Sequence, residues 1–404
     1  MADVPQGHLF IGSEVDPATH DRIDDGAVHY EAANFTTHGV IVGMTGSGKT
    51  GLGVVLLEEA LLQGVPTLVI DPKGDMGNLL LSFPSLSPTD FEPWIDEVSA
   101  TREGKSVADE AAGTADLWRN GLAGWGIGPE RIAELHARAD FTIYTPGSNA
   151  GIPLNIIGSL RSPGDVDAET LADETESFAS SILGLVGIDA DPLSSREHIL
   201  ITNLVANAWS NGNDIDLPGL IGQIQQPPMR KLGVIDLDTF FPPKDRMALA
   251  LKLNGLIASP AFASWVEGVD LDIDNLLYTA DGKPRCAIVS IAHLTDEERQ
   301  FVVTLLLSKM VTWMRAQSGT TDLRALVYMD EVFGFVPPTA APPAKKPILT
   351  ILKQARAFGV GMVLSTQNPV DLDYKAISNA GTWMVGRLQT ERDKGRLLEG
   401  CLLY

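Results

Sequence analysis

Between an apolar run, Gly39 to Val42, and a helical pattern running from Gly51 to Gln63, the chain places Gly43-Met44-Thr45-Gly46-Ser47-Gly48-Lys49-Thr50. A Gly-rich turn that joins a buried strand to a helix confines the fold to an α/β arrangement. The strand needs neighbours on both sides, and the helix has to pack back over it. The spacing satisfies GxxxxGK[ST] at every position. Glycines let successive backbone N–H groups face one anion, and the helix N-terminus adds its positive end. Lys49 stands where an ammonium meets the β- and γ-phosphates of a nucleotide, and Thr50 where a hydroxyl holds Mg²⁺. The segment Gly43 to Gly51 therefore reads as a phosphate-binding loop, with ATP and Mg²⁺ as its expected occupants.

Other short apolar runs bounded by turn residues read as buried parallel strands. They are Thr67 to Ile70, Phe141 to Tyr144, Cys286 to Ile291, Ala325 to Met329, Gly361 to Leu364 and, more faintly marked, Trp383 to Val385. Helical patterns separate them. The first stops at Gly64, a favoured C-cap. Asp296 to Arg315 has Thr295 as its N-cap, and Pro347 to Phe358 opens on Pro and ends at Gly359. The stretches 87–139 and 157–281 are acidic and mostly helical in pattern, and no fixed-period repeat interrupts them. The expected organisation is an N-terminal segment (1–37), a first part of the core (38–86), a helical insertion (87–139), a core strand (140–156), a second helical insertion (157–281) and the rest of the core (282–404). Pro337 to Pro347 reads as a stiff extended loop.

Two more strand ends carry chemistry. Ala325 to Met329 delivers Asp330 beside the phosphate loop, where a carboxylate orders the Mg²⁺ shell, and Glu331 follows as a general base for water. Alone, such an acidic pair is as well read as a solvated strand end. Gln367 closes the next apolar run; its amide can donate to a phosphate oxygen and accept from water, or simply turn the chain before Asn368-Pro369. Arg356 lies in the last turn of its helix. There it either answers the helix dipole or reaches a neighbouring subunit's nucleotide as an arginine finger.

Composition narrows the remaining classes. A net charge of −22 disfavours a surface that coats nucleic acid. The acid is unevenly spread, however. Eight carboxylates and no Lys or Arg fall between Asp165 and Asp191, whereas nine cations face five anions from Lys345 onward. Any DNA contact is expected in that last stretch, with Lys345 and Lys346 as pore contacts. Cys286 and Cys401 form no CxxC pair, no secretory pattern opens the chain, and a cytoplasmic location is expected. Asp270 to Asp281 fails as a Ca²⁺ loop because Asn275 and Asp281 replace the required Gly and Glu. The histidines show no metal spacing, and His38 reads as structural.

The order of these motifs resembles the HerA–FtsK branch of P-loop motor ATPases, close to the HerA-like, DUF87-type ATP-binding proteins. The resemblance rests on Gly43 to Thr50, Ile70-Asp71-Pro72-Lys73-Gly74-Asp75, Tyr328-Met329-Asp330-Glu331, Lys353 to Gly359, Ser365 to Pro369 and Gly386 to Thr390. It implies a RecA-like P-loop NTPase core with a mainly parallel sheet, helical insertions, Arg356 acting in trans, and a homo-oligomeric, hexameric ring that translocates DNA. A conjugation- or secretion-type ATPase moving polypeptide and a nucleotide-gated defence scaffold are the alternatives. Asp71 to Gly74 marks the family at the second strand's end, with Lys73 either solvated in a tight turn or at the nucleotide. Relatives usually carry an N-terminal barrel, for which the residues before Gly39 are too few, and they tend to continue beyond Tyr404.

Overall fold

Each apolar run read from the sequence becomes a strand of one sheet in the computed structural model, which describes residues 4–156 and 161–401. The first residues of the second expected insertion (157–160) and Leu402-Leu403-Tyr404 lie outside the described residues. In chain order the strands are β1 (His8–Val15), β2 (Arg22–Glu31), β3 (Gly39–Val42), β4 (Thr67–Asp71), β5 (Asp140–Tyr144), β6 (Leu154–Asn155), β7 (Lys231–Leu232), β8 (Ile235–Asp236), β9 (Val269–Asp270), β10 (Arg285–Ser290), β11 (Ala325–Met329), β12 (Val360–Thr366) and β13 (Thr382–Val385). Seven of them form the main sheet in the order β13-β3-β12-β11-β4-β10-β5. Every neighbouring pair in it is parallel. The carboxyl ends of β3, β4, β11 and β12 consequently lie along one edge.

Successive side chains alternate between the two faces, so each strand feeds two apolar layers. In β11, Val327 and Met329 join the layer built with Phe178, Ile182, Phe301 and Leu306. Leu326 and Tyr328 join the opposite layer with Leu56, Leu57 and Leu61 of the helix Lys49–Leu62. The helices Ala168–Leu185 and Arg196–Ser210 thus share a continuous core with one face of the sheet. The helices between Pro88 and Arg138 gather a small core of their own around Phe91, Ala111, Ala115 and Ile132. No helix among the described residues is long and apolar enough to cross a membrane.

The N-terminal segment holds a fold that the sequence reading left undescribed. β1 and β2 pair as an antiparallel hairpin, and Leu9 is fully buried. The hairpin rests on the helix after the phosphate loop, where Phe10 N donates to Glu59 Oε2 at 3.0 Å. His38 is buried with its Nδ1 accepting from Met362 N at 3.1 Å, which ties β3 to β12 and fits its structural reading. Burial lowers its pKa to about 4, so the ring stays neutral.

Two boundaries differ from expectation. The helix read as Pro347 to Phe358 begins at Lys345, runs to Gln354 and tightens into a 3₁₀ turn, Ala355–Phe358. The proline-rich loop before it is folded back rather than extended, because the Lys345 ammonium donates to Pro337 O at 2.6 Å and Ala340 O at 3.0 Å.

Candidate nucleotide-hydrolysis site

The phosphate loop is shaped by backbone conformations that few side chains tolerate. Gly46 and Gly48 have φ of 76° and 91°, and Gly48 caps the helix that starts at Lys49. The loop is strapped to its neighbours: Met44 N donates to Arg387 O at 2.7 Å and Gly43 N to Thr366 O at 3.3 Å. A Cβ on Gly43 would meet Ser47 Oγ at 2.4 Å, so a larger residue there requires the Ser47 hydroxyl to turn away. The Lys49 ammonium donates to the carbonyls of Gly43 and Met44. Burial lowers its pKa, with Glu331 opposing the shift and Lys73 adding to it.

β4 ends in a tight turn organised by Asp71. Its buried carboxylate accepts from Lys73 N at 3.2 Å, Gly74 N at 2.7 Å and Met76 N at 3.0 Å. Burial pushes the Asp71 pKa up, and these three bonds oppose it. The turn delivers the Lys73 ammonium to Glu331 Oε2 at 2.7 Å. Lys73 thus sits in a tight turn and pairs with Glu331 while its side chain stays 36% exposed.

β11 delivers Asp330 and Glu331. Asp330 is 3% exposed and accepts from the Tyr328 hydroxyl at 3.4 Å. Burial raises its pKa, Lys73 pulls it down, and Asp71 and Glu331 push it further up. Glu331 has φ of 42°, a left-handed conformation that a glutamate adopts only under constraint from its surroundings. Its backbone is pinned on both sides, Asp330 N donating to Ile70 O at 3.0 Å and Val332 N to Ser365 O at 2.8 Å, and Gln367, just after β12, holds its side chain. Its Nε2 donates to Glu331 Oε2 at 2.7 Å, and its Oε1 accepts from Thr45 Oγ1 at 2.8 Å. This amide therefore bridges the loop and the acidic residue.

Tertiary structure unites Gly43 to Gly51, Asp330, Glu331 and Gln367 along one edge of the sheet, and adds Lys73, Thr366 and the Gly386-Arg387 strap. Arg356 is elsewhere. It is exposed before the first residue of β12, whereas the loop follows the last residues of β3. Seven residues of β12 intervene, roughly 20 Å of strand. Its side chain makes no hydrogen bond or ion pair among the described residues.

Lys345 and Lys346 have partners that the sequence reading did not foresee. Read as pore contacts, they are engaged within the chain. Lys345 pairs with Asp373 at 2.6 Å and is largely buried. Lys346 pairs with Asp173 at 3.1 Å and Glu176 at 3.0 Å. Burial opposes the charge on Lys346, yet those carboxylates hold its pKa above the ordinary value. Part of the acidic run meets cations from two helices here, since Arg315 also pairs with Asp173 at 3.1 Å. The lopsided charge of the sequence is in part a set of internal ion pairs. Lys353, Arg356, Lys375, Arg387 and Arg392 remain exposed in the basic stretch.

A parallel sheet with a Gly-rich phosphate loop, and an Asp-Glu pair and Gln at adjacent strand ends, defines a P-loop ATPase. Residues 28–206 match the family model described as helicase HerA, central domain. VirB4 of Thermoanaerobacter pseudethanolicus is structurally similar, with a TM-score of 0.54 and 13% identity over 99% of this chain and 89% of that one. The bacterial conjugative coupling protein TrwBdeltaN70 in its unbound monoclinic form gives 0.47 and 13%, over 92% and 69%. TrwB in complex with ADP and Mg²⁺ gives 0.44 and 12%, over 91% and 69%. None of the curated proteins matches this chain. The chain is an ATP-hydrolysing P-loop enzyme whose residues 28–206 resemble the HerA central domain.

Proposed function

We propose that this chain is one subunit of a homo-oligomeric ring, a hexamer, that hydrolyses ATP between neighbours and moves DNA. Lys49 binds the β- and γ-phosphates. Thr50 and Asp330 hold Mg²⁺, a donor set suited to an ion that keeps waters and substrate phosphates as its other ligands. Glu331 takes the proton of the attacking water, and Gln367 orients that water. Arg356 of the adjacent subunit completes the site.

One observation carries the shared site: Arg356 is exposed, without a side-chain partner among the described residues, at the edge of the sheet away from its own phosphate loop. An arginine held there to stabilise hydrolysis serves a second copy. DNA as the load is supported by the match to the HerA central domain over 28–206. The polypeptide-moving reading draws on the net charge of −22 and on the pairing of Lys345 and Lys346 with carboxylates.

The test is ATPase activity across a series of protein concentrations, with and without duplex DNA. Specific activity rises through the assembly range and DNA stimulates it. Stimulation by polypeptide and not DNA moves the load to the second reading. Activity independent of concentration removes the shared site.

A further inference from the structure

Glu331 is held from both neighbouring strands. From β4, Lys73 Nζ lies 2.7 Å from Oε2. From β12, Gln367 Nε2 reaches the same oxygen at 2.7 Å, while Gln367 N and Thr366 Oγ1 lie 3.4 and 3.5 Å from Oε1. Both carboxylate oxygens already have protein donors. Oε2 thus carries two short bonds, which fill its two acceptor positions, and a proton from water reaches that oxygen only when one of them opens.

The bond to Lys73 is the one built to open. Thr366 is the last residue of β12 and Gln367 is also held by Thr45, whereas Lys73 ends in a flexible four-carbon stem and its side chain is 36% exposed. The root of that stem is fixed by the three bonds to Asp71, so the ammonium swings about a set point. It also lies close enough to bear electrostatically on Lys49 and Asp330, the two groups that flank the terminal phosphate and the metal in the proposed site. A triphosphate there offers more negative charge than one carboxylate.

We propose that Lys73 is a positioning residue that restrains Glu331 until the terminal phosphate of ATP draws its ammonium away, so that arrival of a triphosphate releases the base. This rests on the roles assigned above to Glu331 and the phosphate loop. The charge ledger balances without proton transfer: one ammonium exchanges a carboxylate for a phosphate. ADP lacks the terminal phosphate and leaves the restraint closed.

The restraint makes nucleotide affinity depend on Glu331 through Lys73, and a double-mutant cycle reads that dependence. Binding of Mg²⁺ with ADP, and of Mg²⁺ with a non-hydrolysable imido analogue of ATP, is measured on four proteins. These are the wild type, Lys73→Met, Glu331→Gln and the double variant. In Lys73→Met the analogue binds about tenfold more weakly and ADP as before. Glu331→Gln alone loosens the grip on Lys73, so the analogue binds about fivefold more tightly. In the Lys73→Met background that gain disappears, and Lys73→Arg, which keeps the charge, keeps the preference for triphosphate.

An equal gain from Glu331→Gln in both backgrounds overturns the proposal. So does an unchanged ratio of analogue to ADP affinity in Lys73→Met, or parallel loss of both nucleotides. Failure of the underlying site looks different: there the wild type binds neither nucleotide, or Lys49→Ala binds both as the wild type does.

Discussion

At the carboxyl ends of β4, β11 and β12, polar side chains satisfy one another inside a single chain. Glu331 accepts from Lys73 and Gln367, Gln367 accepts from Thr45, and Asp71 ties down the turn beneath Lys73. At the amino end of β12 the arrangement reverses: Arg356 stands exposed within a 3₁₀ turn. The same strand links the two places, with residues from Val360 to Thr366 all buried. Buried polar groups must find partners wherever the chain puts them. An exposed arginine is under no such demand, and its use is set by what approaches it. Each chain therefore carries a polar cluster at one edge of the sheet and, at the opposite edge, an arginine whose side chain has no partner among the described residues.

The most damaging change attacks the nucleotide edge itself. Lys49→Ala removes the ammonium beside the terminal phosphates, and ATP turnover falls to background in a phosphate-release assay. Wild-type turnover in that variant would mean that the loop is not the site.

Arg356→Ala separates the edges. Fold and nucleotide binding persist, while turnover drops about 10³-fold if the arginine acts in trans. Mixing it with Glu331→Gln, itself slowed by ~10²-fold or more, restores part of the activity. A mixed ring contains interfaces with an intact Glu331 on one side and an intact Arg356 on the other. No complementation at any mixing ratio returns Arg356 to the role of a helix-end cation, worth about 0.3–1 kcal/mol.

The smallest effects probe how the nucleotide edge is supported from below. Gly53 lies under Tyr328 of β11: a Cβ there would meet the Tyr328 hydroxyl oxygen at 2.3 Å and Cζ at 2.6 Å. Tyr328 is fully buried and cannot retreat. Gly53→Ala should destabilise by about 1–2 kcal/mol in denaturant unfolding, overpacking outweighing the gain in helix propensity. Gly51, two residues earlier, meets nothing within 4 Å. Gly51→Ala should therefore stabilise by up to about 1 kcal/mol with its N–H intact. Equal effects at the two positions would break the packing account.

Much of this was legible in residue order. Apolar runs closed by turn residues located the strands of the main sheet, because a strand buried on both faces leaves an unbroken apolar signature. Thr295 and Glu298 form a capping box that starts the helix Asp296–Arg315 where local chemistry places it. The phosphate loop was readable because glycines, a lysine and a hydroxyl at fixed spacing act within one turn. The hairpin of β1 and β2 was not, since its pairing across Asp16 to Asp21 includes bulges that break the alternation.

What the sequence by itself determined is local: the loop, the strand ends that carry Asp330, Glu331 and Gln367, and the class of enzyme they imply. What only the tertiary structure decided depends on strand order. That β4 lies beside β11, with β12 on the other side, sets Lys73 and Gln367 around Glu331, although 258 residues separate Lys73 from Glu331. Packing the helices Ala168–Leu185 and Lys345–Gln354 on the same helix, Asp296–Arg315, brings Lys346 to Asp173 and Glu176. Long-range electrostatics has no trace in linear order, because a charge acts on what is near it in space, and proximity is set by how the sheet is wound.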